Sequence, residues 1–151
     1  MIDENLSRDE RFMRLALAEA QEAFAEGEVP VGAVVVSHGR VIARAHNQTE
    51  TLGDVTAHAE MLAITSAANL LGGKYLRDCT LYVTVEPCVM CAGAIGWAQV
   101  SRVVYGVGDD KRGYALFAPR ALHPKAKVTS GVLQEECKKL MQGFFSGKRK
   151  A

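Results

Sequence analysis

His58, Glu60, Cys88 and Cys91 are the residues of this chain whose types and spacing can do chemistry, and they fall within a 34-residue span. Imidazole and thiolate are donors that zinc favours, and a catalytic zinc keeps three protein ligands so that water can take the fourth position. His58, Cys88 and Cys91 make three. The two cysteines follow Pro87, which suits the first turn of a helix because its missing N–H leaves no bond unmade there. On a helix, positions i and i+3 share a face, and the positive N-terminal end favours both sulfurs as thiolates. Two thiolates neutralise Zn²⁺. With a neutral His58 as third ligand, the ion can still act as a Lewis acid and lower the pKa of a bound water towards about 7.

Glu60 lies two residues beyond His58, so it projects away from the ligand direction and can face the water. A carboxylate there can take the water's proton and deliver it to a substrate nitrogen, which is general acid/base work at hydrogen-bond range. Singly, the fragments are ambiguous: a bare Cys-x-x-Cys is often structural or redox-active, and a lone His is commonly a satisfied core residue. Together they point to a catalytic zinc site.

The elements that must position these groups can be read along the chain. Ser7 with Glu10 forms a capping box for a first helix, Met13, Leu17, Ala20 and Phe24 follow helical spacing as a core stripe, and Gly27 supplies a stop. Val31 to Val36 and Arg40 to Ala45 read as strands joined at Ser37-His38-Gly39, where Gly39 can take positive φ. Asn47 follows the second strand; on spacing it is either a turn residue or an amide able to read a base edge. Asp54 or Thr56 can cap a helix that runs to about Leu71 and places His58 and Glu60 in its first turns, before Gly72-Gly73 ends it. Thr80 to Val85 reads as a strand that delivers Glu86-Pro87-Cys88 to a second metal-bearing helix ending near Gln99. Arg102 to Val107 reads as another strand and Lys127 to Thr129 as a weaker one. Leu133, Cys137, Leu140, Met141, Phe144 and Phe145 mark the buried face of a final helix. Alternating helices and strands without linker or repeat predict one α/β layer structure of about five strands over residues 1–151.

His-x-Glu with Pro-Cys-x-x-Cys is the signature of zinc nucleobase deaminases. The chain resembles the cytidine deaminase superfamily, and more closely the bacterial tRNA adenosine deaminases, over nearly its whole length. The residues that carry the resemblance are Glu28-Val29-Pro30-Val31-Gly32-Ala33, Asn47, Thr56-Ala57-His58-Ala59-Glu60 and the run from Thr84 through Pro87-Cys88-Val89-Met90-Cys91 to Ala94. It implies a three-layer α/β/α cytidine deaminase-like fold, with a mixed five-stranded sheet, its first strand antiparallel, and the two zinc helices side by side. It also implies a homodimer, one Zn²⁺ per subunit and no organic cofactor. By the same resemblance Glu60 is the proton shuttle, Asn47, Val29 and the backbone near Ala59 hold the base, and Asp109 and Lys111 belong to a loop that contacts RNA.

The implied reaction is hydrolytic deamination of adenosine to inosine at the wobble position of a tRNA anticodon stem-loop, a single-stranded site whose base can splay outward. Two departures from the family pattern stand out. Asp54-Val55-Thr56 occupies the place where many relatives carry Asp-Pro-Thr, and residues 113–127 lack the Asn-His-Arg sequence common before the last strand. The nearest alternative is a free-base or nucleoside deaminase, for guanine or cytosine, with the same zinc and Glu60 in a different pocket. A structural zinc module or noncatalytic RNA-binding partner is disfavoured by Glu60 and by the lack of an obvious fourth protein ligand.

With 151 residues and 48% hydrophobic content, the chain suffices for one cored domain. Cys79 and Cys137 read as buried thiols, not a disulfide framework, which fits a reducing cytoplasm. The opening Met1-Ile2-Asp3-Glu4-Asn5 is acidic, and no stretch approaches the roughly 20 apolar residues of a membrane span, so neither export nor membrane insertion is expected. The net charge of +1 hides an asymmetry: residues 1–110 carry 8 basic and 15 acidic groups, and residues 111–151 carry 10 and 2. Lys111, Arg112, Arg120, Lys125, Lys127, Lys138, Lys139 and Lys148-Arg149-Lys150 could form a phosphate-facing surface, or simply solvate the end of the chain.

Overall fold

The structure is a computed structural model that describes residues 4–150, and the side-chain surroundings of residues 8–147. Five strands form one mixed sheet in the order β2-β1-β3-β4-β5. They are β1 (Gly32–Ser37), β2 (Arg40–His46), β3 (Cys79–Val85), β4 (Arg102–Val107) and β5 (Lys127–Ser130). β1 runs antiparallel to both β2 and β3, while β3, β4 and β5 are mutually parallel. Helices α1 (Glu4–Ala25), α2 (Thr49–Leu52), α3 (Ala59–Leu71), α4 (Val89–Ala98), α5 (Tyr114–Phe117) and α6 (Gln134–Lys150) complete the chain.

Period-two alternation divides the strands between two cores, as a sheet covered on both faces requires. Ala33, Val35, Leu81, Val83 and Val103 face α3 and α4, whereas Val34, Val36, Tyr82 and Val104 face α1 and α6. The side chains of α3 that meet the sheet are small: Ala59, Ala63 and Ala67, four residues apart, are fully buried. That stripe lets the helix axis lie close to the strands. α1 lies equally close on the other face, because a Cβ at Gly32 would collide with the carbonyl of Ala16. A buried polar network pins α1 to the sheet, where Asp9 receives both Arg102 guanidinium nitrogens at 2.7 and 2.8 Å and the Tyr82 hydroxyl at 2.7 Å.

Several expected boundaries are corrected. Ser7 lies inside α1, which begins at Glu4, so Ser7 and Glu10 are not a capping box at its start; the Ser7 side chain is outside the described residues. Phe24 is 40% exposed, with its ring against Phe144 and not within the core stripe. Neither Asp54 nor Thr56 caps α3. Asp54 instead folds its own turn by accepting from the backbone and hydroxyl of Thr56, and His58 itself occupies the N-cap position. Pro87 likewise precedes α4, whose N-cap is Cys88. Leu133 sits ahead of α6 at φ +53°, and Phe145 is 43% exposed. The hairpin turn takes positive φ at both His38 and Gly39, a pairing that follows the right-handed twist of its strands. Cys79 and Cys137 are buried, and burial pushes the Cys137 thiol up to about 12.

The topology brings one end of the sheet to a focus. The carboxyl ends of β2, β3 and β4 and the amino end of β1 all lie there, as the pairings Gly32 with His46, Ala33 with Val83 and Val85 with Val107 require. In α/β sheets such a strand-end crevice is the usual place for a ligand.

Candidate active site

α3 and α4 pack on the same sheet face and both begin at this end. His58 and Cys88 take extended backbone conformations at the two N-cap positions, and neither side chain makes a capping hydrogen bond. A Ser, Thr or Asp at either place would stabilise its helix by about 1 kcal/mol. These N-caps instead turn their side chains towards each other. His58 Nδ1 lies 3.7 Å from Cys88 Sγ and 3.5 Å from Cys91 Sγ, and the three atoms lie within 4.8 Å of one another. A tetrahedral ion with bonds of about 2.0 Å to nitrogen and about 2.3 Å to sulfur requires N···S edges of about 3.5 Å. The donor set therefore fits zinc in both chemistry and spacing.

The protonation pattern of the cluster has the same origin. The Cys91 hydrogen bond, outweighing burial and joined by His58, draws the Cys88 thiol down to about 4. Cys91 is driven the other way by its bond to Cys88 and by burial. A coordinated Zn²⁺ deprotonates a thiol outright, so both sulfurs would be thiolates with the ion bound. His58 is raised, mainly by the Cys88 hydrogen bond.

Glu60 occupies the first turn of α3 and is 4% exposed. Burial pushes its carboxyl up to about 7, opposed by its own backbone N–H and by His58. Such a group suits the exchange of a proton near neutrality. Asn47, just past β2, is also buried, and its Oδ1 has no hydrogen-bond partner among the described residues. An unsatisfied buried oxygen costs roughly 1–3 kcal/mol, which a bound donor recovers.

One cavity of about 1000 Å³ joins these groups. Its lining includes the buried or half-buried Val29, Asn47, His58, Ala59, Glu60 and Cys88, the half-buried Asp109 and Met141, and the exposed Lys111, Arg112, Lys138 and Phe145. Every residue expected from the sequence to hold metal or base thus borders a single space, apart from Cys91, which is buried behind it. Of the basic groups in the last third, Lys111, Arg112 and Lys138 reach the cavity, whereas Arg120, Lys125, Lys127 and Lys139 do not line it. The side chains of Lys148, Arg149 and Lys150 lie outside the described residues.

Two further carboxylates shape the walls, and sequence reasoning did not single them out. Glu28 is fully buried and accepts from the backbone N–H groups of Glu50 and Thr51 and the hydroxyls of Thr49 and Thr51. Burial pushes its pKa up, but these bonds prevail and leave it below the ordinary carboxylate value. Glu28 thereby ties the wall holding Val29 to the segment after Asn47. Glu86 does the same opposite, accepting from the Asp109 and Ala115 amides. The two Glu86 amides, and the two that Glu28 holds beside its threonine hydroxyls, lie 22 to 29 residues away in the sequence and carry no residue-type signature.

Residues 6–107 match the family model for the cytidine and deoxycytidylate deaminase zinc-binding region. The chain is 46% identical over 150 residues to the tRNA-specific adenosine deaminase of Bacillus subtilis, covering 96% of this chain and 93% of that protein. A solved structure from work on A-to-I editing by tRNA:A34 deaminases at the wobble position superposes with a TM-score of 0.81 at 45% identity, covering 86% of this chain and 98% of the other. A guanine deaminase structure from Bacillus subtilis superposes with a TM-score of 0.63 at 39% identity, over 71% of this chain and 66% of the other. The five-stranded sheet with its flanking helices is the cytidine deaminase-like fold of these neighbours, and the chain belongs to the zinc-binding cytidine and deoxycytidylate deaminase family, within it to the tRNA-specific adenosine deaminases.

Proposed function

We propose that this chain deaminates adenosine to inosine at the wobble position of a tRNA anticodon stem-loop, with residues 1–151 acting as one zinc-dependent domain. The observation that carries the reading is the cavity itself. Two donors of the three-donor cluster, a buried carboxylate and an unsatisfied amide oxygen share its lining with the exposed cations Lys111, Arg112 and Lys138, which suit a polynucleotide backbone left outside. A base inserted alone, with its phosphates left at Lys111, Arg112 and Lys138, suits this layout better than a free purine, which needs no cationic rim.

His58, Cys88 and Cys91 would hold one Zn²⁺ per subunit, which when bound supplies an activated water and Lewis acidity at the open fourth position. Val29 and the backbone around Ala59 flank the base, and Asn47 orients it through its amide. Glu60 takes one proton from water and delivers it to N1 of the adenine ring as the water oxygen bonds to C6. It then passes the second proton of that water to the amino group as the C6–N bond breaks, so that one water is consumed and one ammonia released. Burial keeps the Glu60 carboxyl close to the pKa at which it can do both. The exchange is redox-neutral, so no organic cofactor is needed. Asp109 spends one carboxylate oxygen on the amides of Lys111 and Arg112, so its contribution to RNA binding is to shape the loop that presents them.

A homodimer accords with the exposed apolar side chains Trp97, Leu116, Phe117, Val89 and Met90 on and beside α4. No helix among the described residues is long and apolar enough to cross a membrane. A tRNA substrate supports a cytoplasmic location.

The likeness to a guanine deaminase sustains the second reading, turnover of a free base or nucleoside. Incubating zinc-loaded protein separately with an adenosine-bearing anticodon stem-loop, guanine, cytosine, adenine, adenosine and cytidine separates the two. Conversion of the stem-loop alone is expected. Conversion of a free compound with the RNA untouched would move the chain to the small-molecule branch.

A further inference from the structure

Glu86 is 9% exposed and follows β3 directly, immediately before Pro87 and the proposed metal ligand Cys88. No Lys or Arg among the described residues pairs with it. Its charge is met by backbone N–H groups at the two ends of one loop, Asp109 at 3.0 Å and Ala115 at 3.1 Å. The second bond supplies α5 with the cap that its N-cap residue, Gly113, has no side chain to provide. Gly113 is also where the loop closes over the carboxylate, since a Cβ there would collide with the Glu86 carboxyl group and with the Asp109 carbonyl. Beside this contact, the Tyr114 amide donates to the Pro87 carbonyl at 2.9 Å, and Cys88 and Gly113 form an isolated antiparallel bridge. The loop that carries Lys111 and Arg112 to the cavity is thus docked on the residues that lead into the metal cluster, with Glu86 at the centre of the contact.

A buried carboxylate costs free energy that an apolar residue of the same size would not. Its retention here makes sense if the distance between the loop and the cluster matters. We propose that Glu86 is a positioning residue, which clamps the 108–115 loop against the Cys88 segment so that Lys111 and Arg112 receive the RNA backbone at a set distance from Glu60. The inference rests on the stem-loop reading above. Glu86 touches no reacting atom; it acts through the loop.

Glu86→Gln keeps the volume but turns one acceptor into a donor facing an N–H. Gly113→Ala pushes the loop off the carboxylate by a different route. Both variants should raise KM for the stem-loop about tenfold with kcat little changed, the pattern of lost uniform binding. Hydrogen exchange at residues 108–115 should rise in both, while bound zinc stays at the wild-type level. An unmoved KM in both variants overturns the proposal, as does loss of zinc and of kcat in parallel, which would mark Glu86 as a support of the metal helix alone. Wild-type protein that leaves the stem-loop unconverted defeats the underlying reading, and that is seen before any variant is compared.

Discussion

At the residue scale, the proposed mechanism divides the labour between Glu60 and the three clustered donors, and the division can be measured. Glu60 is not one of the three clustered donors, so Glu60→Gln should retain wild-type zinc while inosine formation falls by at least about 100-fold, the range of a lost general acid/base. Zinc content and initial rate from the same sample check this; a variant with zinc and near-normal turnover would remove Glu60 from the proton path. The three donors that cluster were legible in the sequence because a metal site constrains residue type as well as spacing. Asn47 was ambiguous by spacing, and its burial with an orphaned oxygen is information that only the fold supplies. The roles of Glu28 and Glu86 were not legible: the backbone amides that Glu86 bonds impose no residue type, and the Thr49 and Thr51 hydroxyls that join the amides on Glu28 lie more than 20 residues away.

Sequence patterning recovered the five strands and the long helices at the scale of elements, since period-two and helical alternation follow directly from two covered sheet faces. Their starts were less legible. His58 and Cys88 took N-cap positions that ordinary capping logic assigns to Asp54, Thr56 or a residue before Pro87, with side chains that meet each other instead of capping their helices. The short α2 also escaped notice; its stability comes from Glu28, outside its own sequence. Glu28→Ala should therefore destabilise the protein by about 2–3 kcal/mol in urea unfolding, through buried N–H groups left unpaired. A loss below about 0.5 kcal/mol would show that water replaces the carboxylate without cost.

A second element-scale prediction concerns the tie between α1 and β2. His46 lies 3.1 Å from both Glu19 and Glu26. Burial lowers its pKa, but the hydrogen bonds to the two carboxylates outweigh burial and raise it above the ordinary 6.5. A raised folded-state pKa contributes stability that is fully present below the unfolded value and lost as pH rises through the folded one. Unfolding free energy should accordingly decline from pH 6 towards pH 8, roughly speaking, by a component absent in His46→Gln. Identical slopes in the two proteins would show that the ring carries no extra proton in the folded state.

For the whole molecule, a single reversed strand decides where the chemistry sits. Because β1 alone runs antiparallel, its amino end meets the carboxyl ends of β2, β3 and β4, and the loops bearing Val29, Asn47, Glu86 and Lys111 open onto one cavity. The same packing leaves Trp97 84% exposed on the outer side of α4, which a second subunit would cover. Trp97→Asp should shift the protein to the monomer in sedimentation, and a wild type that is already monomeric would discard the dimer. The charge asymmetry of the sequence finds only a partial counterpart, since three basic residues of the last third line the cavity and the others described do not. The central claim is that a zinc-centred site acts on adenosine held in RNA. It is tested most directly by following inosine and ammonia from a stem-loop with adenosine at the wobble position, using metal-stripped protein before and after zinc is restored. The account predicts equal yields of the two products, appearing only with zinc; product from the stripped protein, or none from the zinc-restored protein, would contradict it.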